Sequence, residues 1–523
     1  MNLRNMVHRT GKIVLSCIVG LGFFLPATTV AFASTGTWTR NTLPTGSLSL
    51  NSIAYGAGLW VAAQQNGQIA TSTDGLSWAS VSTQIHSGFT RRFDSIVYGS
   101  EFVIVGQNGE IDTSSNGTSW THQVSGTPYE LYSVAYGNGK YVAVGSNDGT
   151  NSELVDTSSD GITWSTQTVS GASFEAVTYG GGQFVAAGDA GTVYTSPDGV
   201  TWTSHSAGAG FSGNLYAITY GNGTFVAVGP GGAISTSTNG ATWTEATHGT
   251  SELDGVAYGA GKFVAVGSSS TTTLTMVSST DGNIWSAETL PPPGSQDFLD
   301  CITYANSRFV AGGQDYGATQ GIVYTQSTNA DLSGFVLDKG TMLPSFSPGN
   351  TSYSDSVAYN VASVNVTPTA ADSTSTLTLN GSTTASGTTV SMPLNVGINT
   401  VTVVVTAQDG TTKKTYTVAV TRAPASTNAN LSSLTLSSGT LTPTFASGTF
   451  SYTANVSNSV SSVNVTPTVA DATATVKVNG TTTTSGGAAS VPLSVGSNTI
   501  KVVVTAQDGT TTQTYTVTVT RAA

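Results

Sequence analysis

One phrase returns seven times between residues 55 and 313: "YGAGLWVAAQ", "YGSEFVIVGQ", "YGNGKYVAVG", "YGGGQFVAAG", "YGNGTFVAVG", "YGAGKFVAVG" and "YANSRFVAGG". Its tyrosines are Tyr55, Tyr98, Tyr136, Tyr179, Tyr220, Tyr258 and Tyr304, spaced 38 to 46 residues apart. A unit of that length holds four short strands and cannot bury its apolar face alone. A period near 40 with four strand-like runs per unit predicts the blades of a β-propeller. In the unit around Tyr220 the runs are read as residues 215–220, 225–229, 233–237 and 241–246. Gly221-Asn222-Gly223 turns the chain between the first two, where positive φ is cheap.

A second phrase alternates with the first: "STDGLSW", "SSNGTSW", "SSDGITW", "SPDGVTW", "STNGATW" and "STDGNIW". Its polar residue is Asp74, Asn116, Asp160, Asp198, Asn239 or Asp281. A position that takes Asp and Asn alike calls for a hydrogen-bond acceptor, not a metal charge or a general base, so these six are read as turn-closing structural residues. The tryptophan that ends each box offers a large apolar body to bury between blades. The seventh unit reaches "GIVYTQSTN" and has no such tryptophan, whereas Trp38 near the other end has no box. Residues 37–41 are therefore expected to supply the outer strand of the last blade, which would remove an exposed edge. The six boxes resemble the Asp-box (BNR) repeats of the sialidase-like propeller superfamily. That resemblance spans residues 34 to about 329 and implies a propeller fold; with the seven tyrosine phrases and the strand around Trp38, an all-β, seven-bladed propeller closed by an N-terminal strand is expected.

From about residue 330 tryptophan disappears and Thr, Ser and Val take over. Two copies follow at an offset of 99 residues: Leu332 matches Leu431, Tyr353 matches Tyr452, Asn380-Gly381 matches Asn479-Gly480, and Asp409-Gly410 matches Asp508-Gly509. Alternating stretches such as "VNVTPT", with NG and DG turns, predict antiparallel hairpins in a seven-stranded sandwich at 330–423 and another at 428–523. Both copies resemble the cadherin-like β-sandwich domains of bacterial surface proteins. The clustered acidic motifs that hold calcium between true cadherin repeats are missing, so the copies are read as spacers.

Arg4, Arg9 and Lys12 precede an apolar run that ends at Ala31-Phe32-Ala33, the pattern of a secretory signal peptide over residues 1–33. Without that segment Cys301 is the only cysteine, which precludes an intrachain disulfide. The net charge of −12 and the lack of a Lys/Arg cluster argue against a nucleic-acid partner. No second long apolar run predicts a membrane span. A secreted or envelope-associated location follows; the oligomeric state is open.

There is no GxSxG elbow, no HExxH and no nucleotide loop. A sialidase-type site needs three converging arginines, and the propeller region has only Arg40, Arg91, Arg92 and Arg308. No catalytic residue, metal site or cofactor is predicted. One constellation carries chemistry. Four residues before each repeat tyrosine stand Asn51, Asp94, Tyr132, Glu175, Tyr216, Asp254 and Asp300, each after an apolar residue and before a small one. This column begins each innermost strand, so it is expected to converge at the mouth of the central channel. It is read as a ring binding a polysaccharide or another envelope component in a non-catalytic adhesion protein. A hydrated polar lining is the plain alternative. A glycoside hydrolase-like enzyme using two of the ring carboxylates is the other.

Overall fold

The computed structural model describes residues 38–44, 46–81, 92–146, 152–171, 174–208, 213–247, 251–268, 274–293 and 296–523. The expected signal peptide and Arg91 lie outside them, as do residues 147–151 of the third unit and 269–273 of the sixth.

Among the described residues the repeat forms seven four-stranded antiparallel sheets. In the fifth, the order is Ala217–Gly221, Thr224–Val228, Ala233–Ser237 and Thr244–Thr247. The fourth strand begins three residues later than the sequence pattern predicts. Ala241 and Thr242 donate their backbone N–H groups to Asn239 Oδ1, both at 2.9 Å, and so are held in the turn and kept from the ladder. The other boxes use the same device. Asp74 Oδ1 accepts from Leu76 N and Ser77 N at 2.8 Å each, and Asn116 Oδ1 from Thr118 N and Ser119 N at 2.9 Å each. Asp160, Asp198 and Asp281 accept the matching pairs. Trp78 Nε1 then donates to the Gly75 carbonyl oxygen, as Trp243 Nε1 does to that of Gly240. With two N–H donors held on it, the Asp160 carboxyl is drawn down to about 2.

Each box tryptophan packs into the apolar layer shared by its own sheet and the preceding one. Trp120 joins Val61 and Ala63 of the first sheet with Phe102 and Ile104 of the second. Trp243 joins Val185 and Ala187 with Phe225 and Ala227. Six of the seven repeat tyrosines are followed by glycine, and that glycine has a related use. A Cβ on Gly56 would lie 2.0 Å from the ring of Tyr98, and one on Gly221 would lie 1.9 Å from that of Tyr258. The first six phrases thus each give a flat backbone seat to the tyrosine of the next.

The seventh sheet has the order Thr39–Thr42, Gln320–Ser327, Arg308–Asp315, Asp297–Ala305. Thr39 pairs with Thr325 and Thr42 with Ile322. Trp38 is buried in the cluster that holds Tyr324 and Phe309. Arg40 grips Asp297 through Nε and Nη2 at 2.7 and 2.8 Å and reaches Asp315 at 2.9 Å, while Tyr324 Oη donates to Asp297 at 2.6 Å. A short strand that arrives from far away in sequence is thereby fixed by a bidentate ion pair as well as by its ladder.

The C-terminal copies are eight-stranded, not seven-stranded, and not wholly antiparallel. In the second copy a three-stranded sheet runs Leu431–Leu436, Ser462–Val469, Ala489–Pro492. The five-stranded sheet runs Ser451–Val456, Thr512–Arg521, Gly496–Thr505, Thr475–Val478, Thr481–Thr483. Ser451–Val456 lies parallel to Thr512–Arg521 because the chain changes sheets between residues 437 and 450. The eighth strand is the short return after Asn479-Gly480, where φ values of 48° and 86° build the tight hairpin that Asn-Gly favours. The first copy has the same strand orders. Inward-facing Val465, Val476, Val502, Val504 and Val517 fill the core of the second.

Candidate functional site

Each innermost strand carries two apolar residues three apart that enter the same buried layer: Leu50 and Ile53, Phe93 and Ile96, Leu131 and Val134. A regular strand points such residues to opposite faces, since its side chains alternate. The sheets resolve the conflict with a bulge. The pairing shifts register between Leu50 and Ser52, Phe93 and Ser95, Leu131 and Ser133, and Leu299 and Cys301. The extra residue is Asn51, Asp94, Tyr132 or Asp300, which is the predicted column. The remaining sheets show the same two-against-one arrangement. Ala176 pairs with Ala187 while Glu175 N also donates to the Ala187 carbonyl oxygen at 2.8 Å. Tyr216 and Asp254 do likewise against Val228 and Val266. A bulge frees one residue from the alternation and re-aims its side chain.

The consequence is a single cavity of about 610 Å³ lined by all seven column residues, Asn51, Asp94, Tyr132, Glu175, Tyr216, Asp254 and Asp300. Where the small residue that follows is serine, in the first three units, it has its own task. Ile96 N donates to Ser52 Oγ at 3.1 Å, Val134 N to Ser95 Oγ at 3.2 Å and Val177 N to Ser133 Oγ at 3.1 Å, linking neighbouring sheets beneath the cavity. Cys301 occupies this position in the seventh sheet; it is buried, burial pushes its thiol well above the usual range, and its sulfur lies 3.4 Å from the Leu50 carbonyl oxygen.

The cavity also gathers residues that the column does not contain. Ser49, Glu252 and Phe298 line it, each two residues before a column member. Period-two alternation puts them on the channel side as well, a signal present in the sequence but hidden by their dissimilar chemistry. Ser49 Oγ donates to Asp300 Oδ2. Arg92, at the same place in the second unit, pairs with Asp94 at 2.8 Å and reaches Glu130 at 3.4 Å. Asp94 is therefore anchored by a buried cation. Tyr316 comes from the long loop of the seventh unit and meets Phe298 edge to face at 5.0 Å.

Carboxylates dominate the electrostatics. Burial first, then Glu252, Asp254 and Glu175, raises the Tyr216 phenol above its ordinary range. Burial, Asp300 and Asp254 do the same to Tyr316. Both hydroxyls therefore stay protonated donors in a negative field. Among the described residues the arginines do not converge into a clamp: Arg40 is engaged with Asp297, Arg92 with Asp94, and Arg308 with Asp372 at 2.7 Å.

Comparison with known proteins gives two family matches. Residues 127–258 match a family described as "DUF6242 beta propeller domain", and residues 327–423 and 431–522 match one described as "Cadherin-like beta sandwich domain". The chain thus carries a β-propeller domain and two cadherin-like β-sandwich domains. A curated protein of Evansella cellulosilytica named "Putative membrane protein" is 44% identical over 97 residues, 18% of this chain. This chain covers 14% of that relative's length. Similar solved structures include "YCF48 bound to D1 peptide" (17% identity, TM-score 0.45), covering 58% of this chain and 99% of that one. A virginiamycin B lyase from Staphylococcus aureus (12% identity, TM-score 0.44) covers 55% and 98%. The "WD40 beta propeller domain of Doa1" (13% identity, TM-score 0.42) covers 54% and 94%. At these scores the likenesses carry no functional weight. Among the described residues no helix is long and apolar enough to cross a membrane.

Proposed function

We propose that residues 34–329 form a seven-bladed propeller of the Asp-box type, closed by Thr39–Thr42, whose channel mouth binds polysaccharide or another envelope component. On this reading the chain is a secreted, non-catalytic adhesion protein and the two sandwiches are spacers. The observation that carries the reading is that one cavity takes a bulge-aimed side chain from each of seven repeats. Concave sites with converging polar groups are where ligands bind. Three phenols and Phe298 offer faces and hydroxyls to a sugar ring, and the carboxylates accept from its hydroxyl groups. The carboxylates of Asp94, Glu175, Glu252, Asp254 and Asp300, of which Asp94 is paired with Arg92, disfavour polyanions and suit a neutral or amine-bearing glycan.

The test is a glycan-array and cell-wall retention assay with the full chain and the variant E175Q/D254N/D300N. Asp94 is left in place, because its removal would strip Arg92 of a buried partner. A loss of binding of at least tenfold, with unchanged unfolding, is expected. Equal retention of both proteins would reject the cavity as the binding site. The crowd of carboxylates favours one other reading, a glycoside hydrolase-like enzyme. Release of new reducing ends from a bound glycan, abolished in the same variant, would replace adhesion with that activity.

A further inference from the structure

A second group of chemistry-bearing side chains stands apart from the channel, on the outer strands of the second sheet. Glu110 and Asp112 lie two residues apart on Glu110–Ser114, so the pleat sends both to one face. The register sets Asp112 directly opposite His122 on Thr121–Val124, which brings the imidazole to that face. His122 Nδ1 is 3.2 Å from Glu110 Oε1 and 3.3 Å from Asp112 Oδ1. One donor atom from each residue lies within 4.8 Å of the others.

Burial makes the arrangement informative. Glu110 is 1% exposed and Asp112 fully buried, while the His122 side chain keeps 36% of its surface open to solvent. Two carboxylates this close and this dry are costly unless positive charge stands between them. The separations exceed the 2.7–2.9 Å of a charge-assisted N–H···O bond. They match the edge of a tetrahedron around a zinc-sized ion, about 3.3 Å for bonds of about 2.0–2.1 Å. The fold does not require the triad either. At the register position of Asp112 other sheets carry Ala70, Tyr194, Ser235 and Val277, and where Asp156 stands there its partner is Thr166, not histidine.

We propose that Glu110, Asp112 and His122 form a site for a first-row divalent cation, Zn²⁺ foremost. Two carboxylates balance the charge, and the imidazole nitrogen selects against Mg²⁺ and Ca²⁺, which take all-oxygen cages. The open side at His122 provides the entry path and room for water as fourth ligand. This site is independent of the channel mouth.

The untagged full chain, stripped with chelator and dialysed, is titrated with Zn²⁺ by calorimetry and with Co²⁺ by visible absorption, alongside Mg²⁺ and Ca²⁺. One equivalent of Zn²⁺, a tetrahedral Co²⁺ spectrum, and at least tenfold weaker binding in H122Q, D112N and E110Q are expected. His122 is partly exposed, so H122Q decides the matter even if a carboxamide variant does not fold. Absence of saturable Zn²⁺ binding in the wild type, or equal binding in H122Q, overturns the proposal, and preferential Ca²⁺ binding overturns the assigned metal class.

Discussion

Replacement of Asp156 by Asn is expected to make the protein more stable at neutral pH. Asp156 is fully buried on Ser152–Ser158. Burial pushes its carboxyl from 3.8 up to about 6, and the Thr166 hydroxyl offsets this only in part. That hydroxyl also lies 3.0 Å from the Ser125 carbonyl oxygen, so its one proton is contested. An acid whose folded pKa is raised penalises the folded state wherever it is charged. The penalty is complete above about pH 6, shrinks as pH falls, and vanishes below the unfolded value. At 1.36 kcal/mol per pKa unit the ceiling is about 3 kcal/mol. Asn keeps the shape and carries no charge, so D156N should exceed the wild type by about 2–3 kcal/mol at pH 7.5 and match it at about pH 3. The assay is urea unfolding followed by tryptophan fluorescence at several pH values. All eight tryptophans lie between residues 38 and 285, so the signal reports the propeller domain and not the sandwiches. A D156N variant no more stable than the wild type at pH 7.5, or a gap that does not change with pH, would refute the reasoning.

Two further expectations use the same assay. D74A, which strips the acceptor from Leu76 N and Ser77 N, should cost about 1–2 kcal/mol, whereas D74N should stay within about 0.5 kcal/mol, because Asn116 and Asn239 already fill that place; equal losses would show that charge and not acceptance matters. G221A drives a Cβ to 1.9 Å from the Tyr258 ring and should cost about 3 kcal/mol. G223A, with φ of +78° and open space around it, should cost about 1 kcal/mol; the reverse order would refute the seating of tyrosine on glycine.

Much of the candidate site was legible because its signal is local and repeated. The column of Asn51, Asp94, Tyr132, Glu175, Tyr216, Asp254 and Asp300 has a fixed distance from a tyrosine, and the lining cavity contains every member. The bulge that aims them was legible too, had the odd spacing of Leu50 and Ile53 been set against strand alternation. Glu252 and Phe298 escaped because they share a position but no chemistry, and Tyr316 because it lies outside the repeated phrases, in a loop of the seventh unit. Glu110, Asp112 and His122 fit no linear motif, since their adjacency depends on which residues face each other across a ladder.

By itself the sequence determined the repeat length, the strand-and-turn rhythm of each unit, the acceptor role of the boxes and the change to sandwich-type domains near residue 330. Those properties follow from backbone preference and apolar periodicity, which act over a few residues. Only the tertiary structure decided that Asp94 answers to Arg92, that Arg40 is engaged with Asp297 and not with a ligand, and that Ser451–Val456 pairs parallel to Thr512–Arg521. Ion pairs and strand partners join residues distant in the chain, and composition leaves many such pairings open until packing admits one of them.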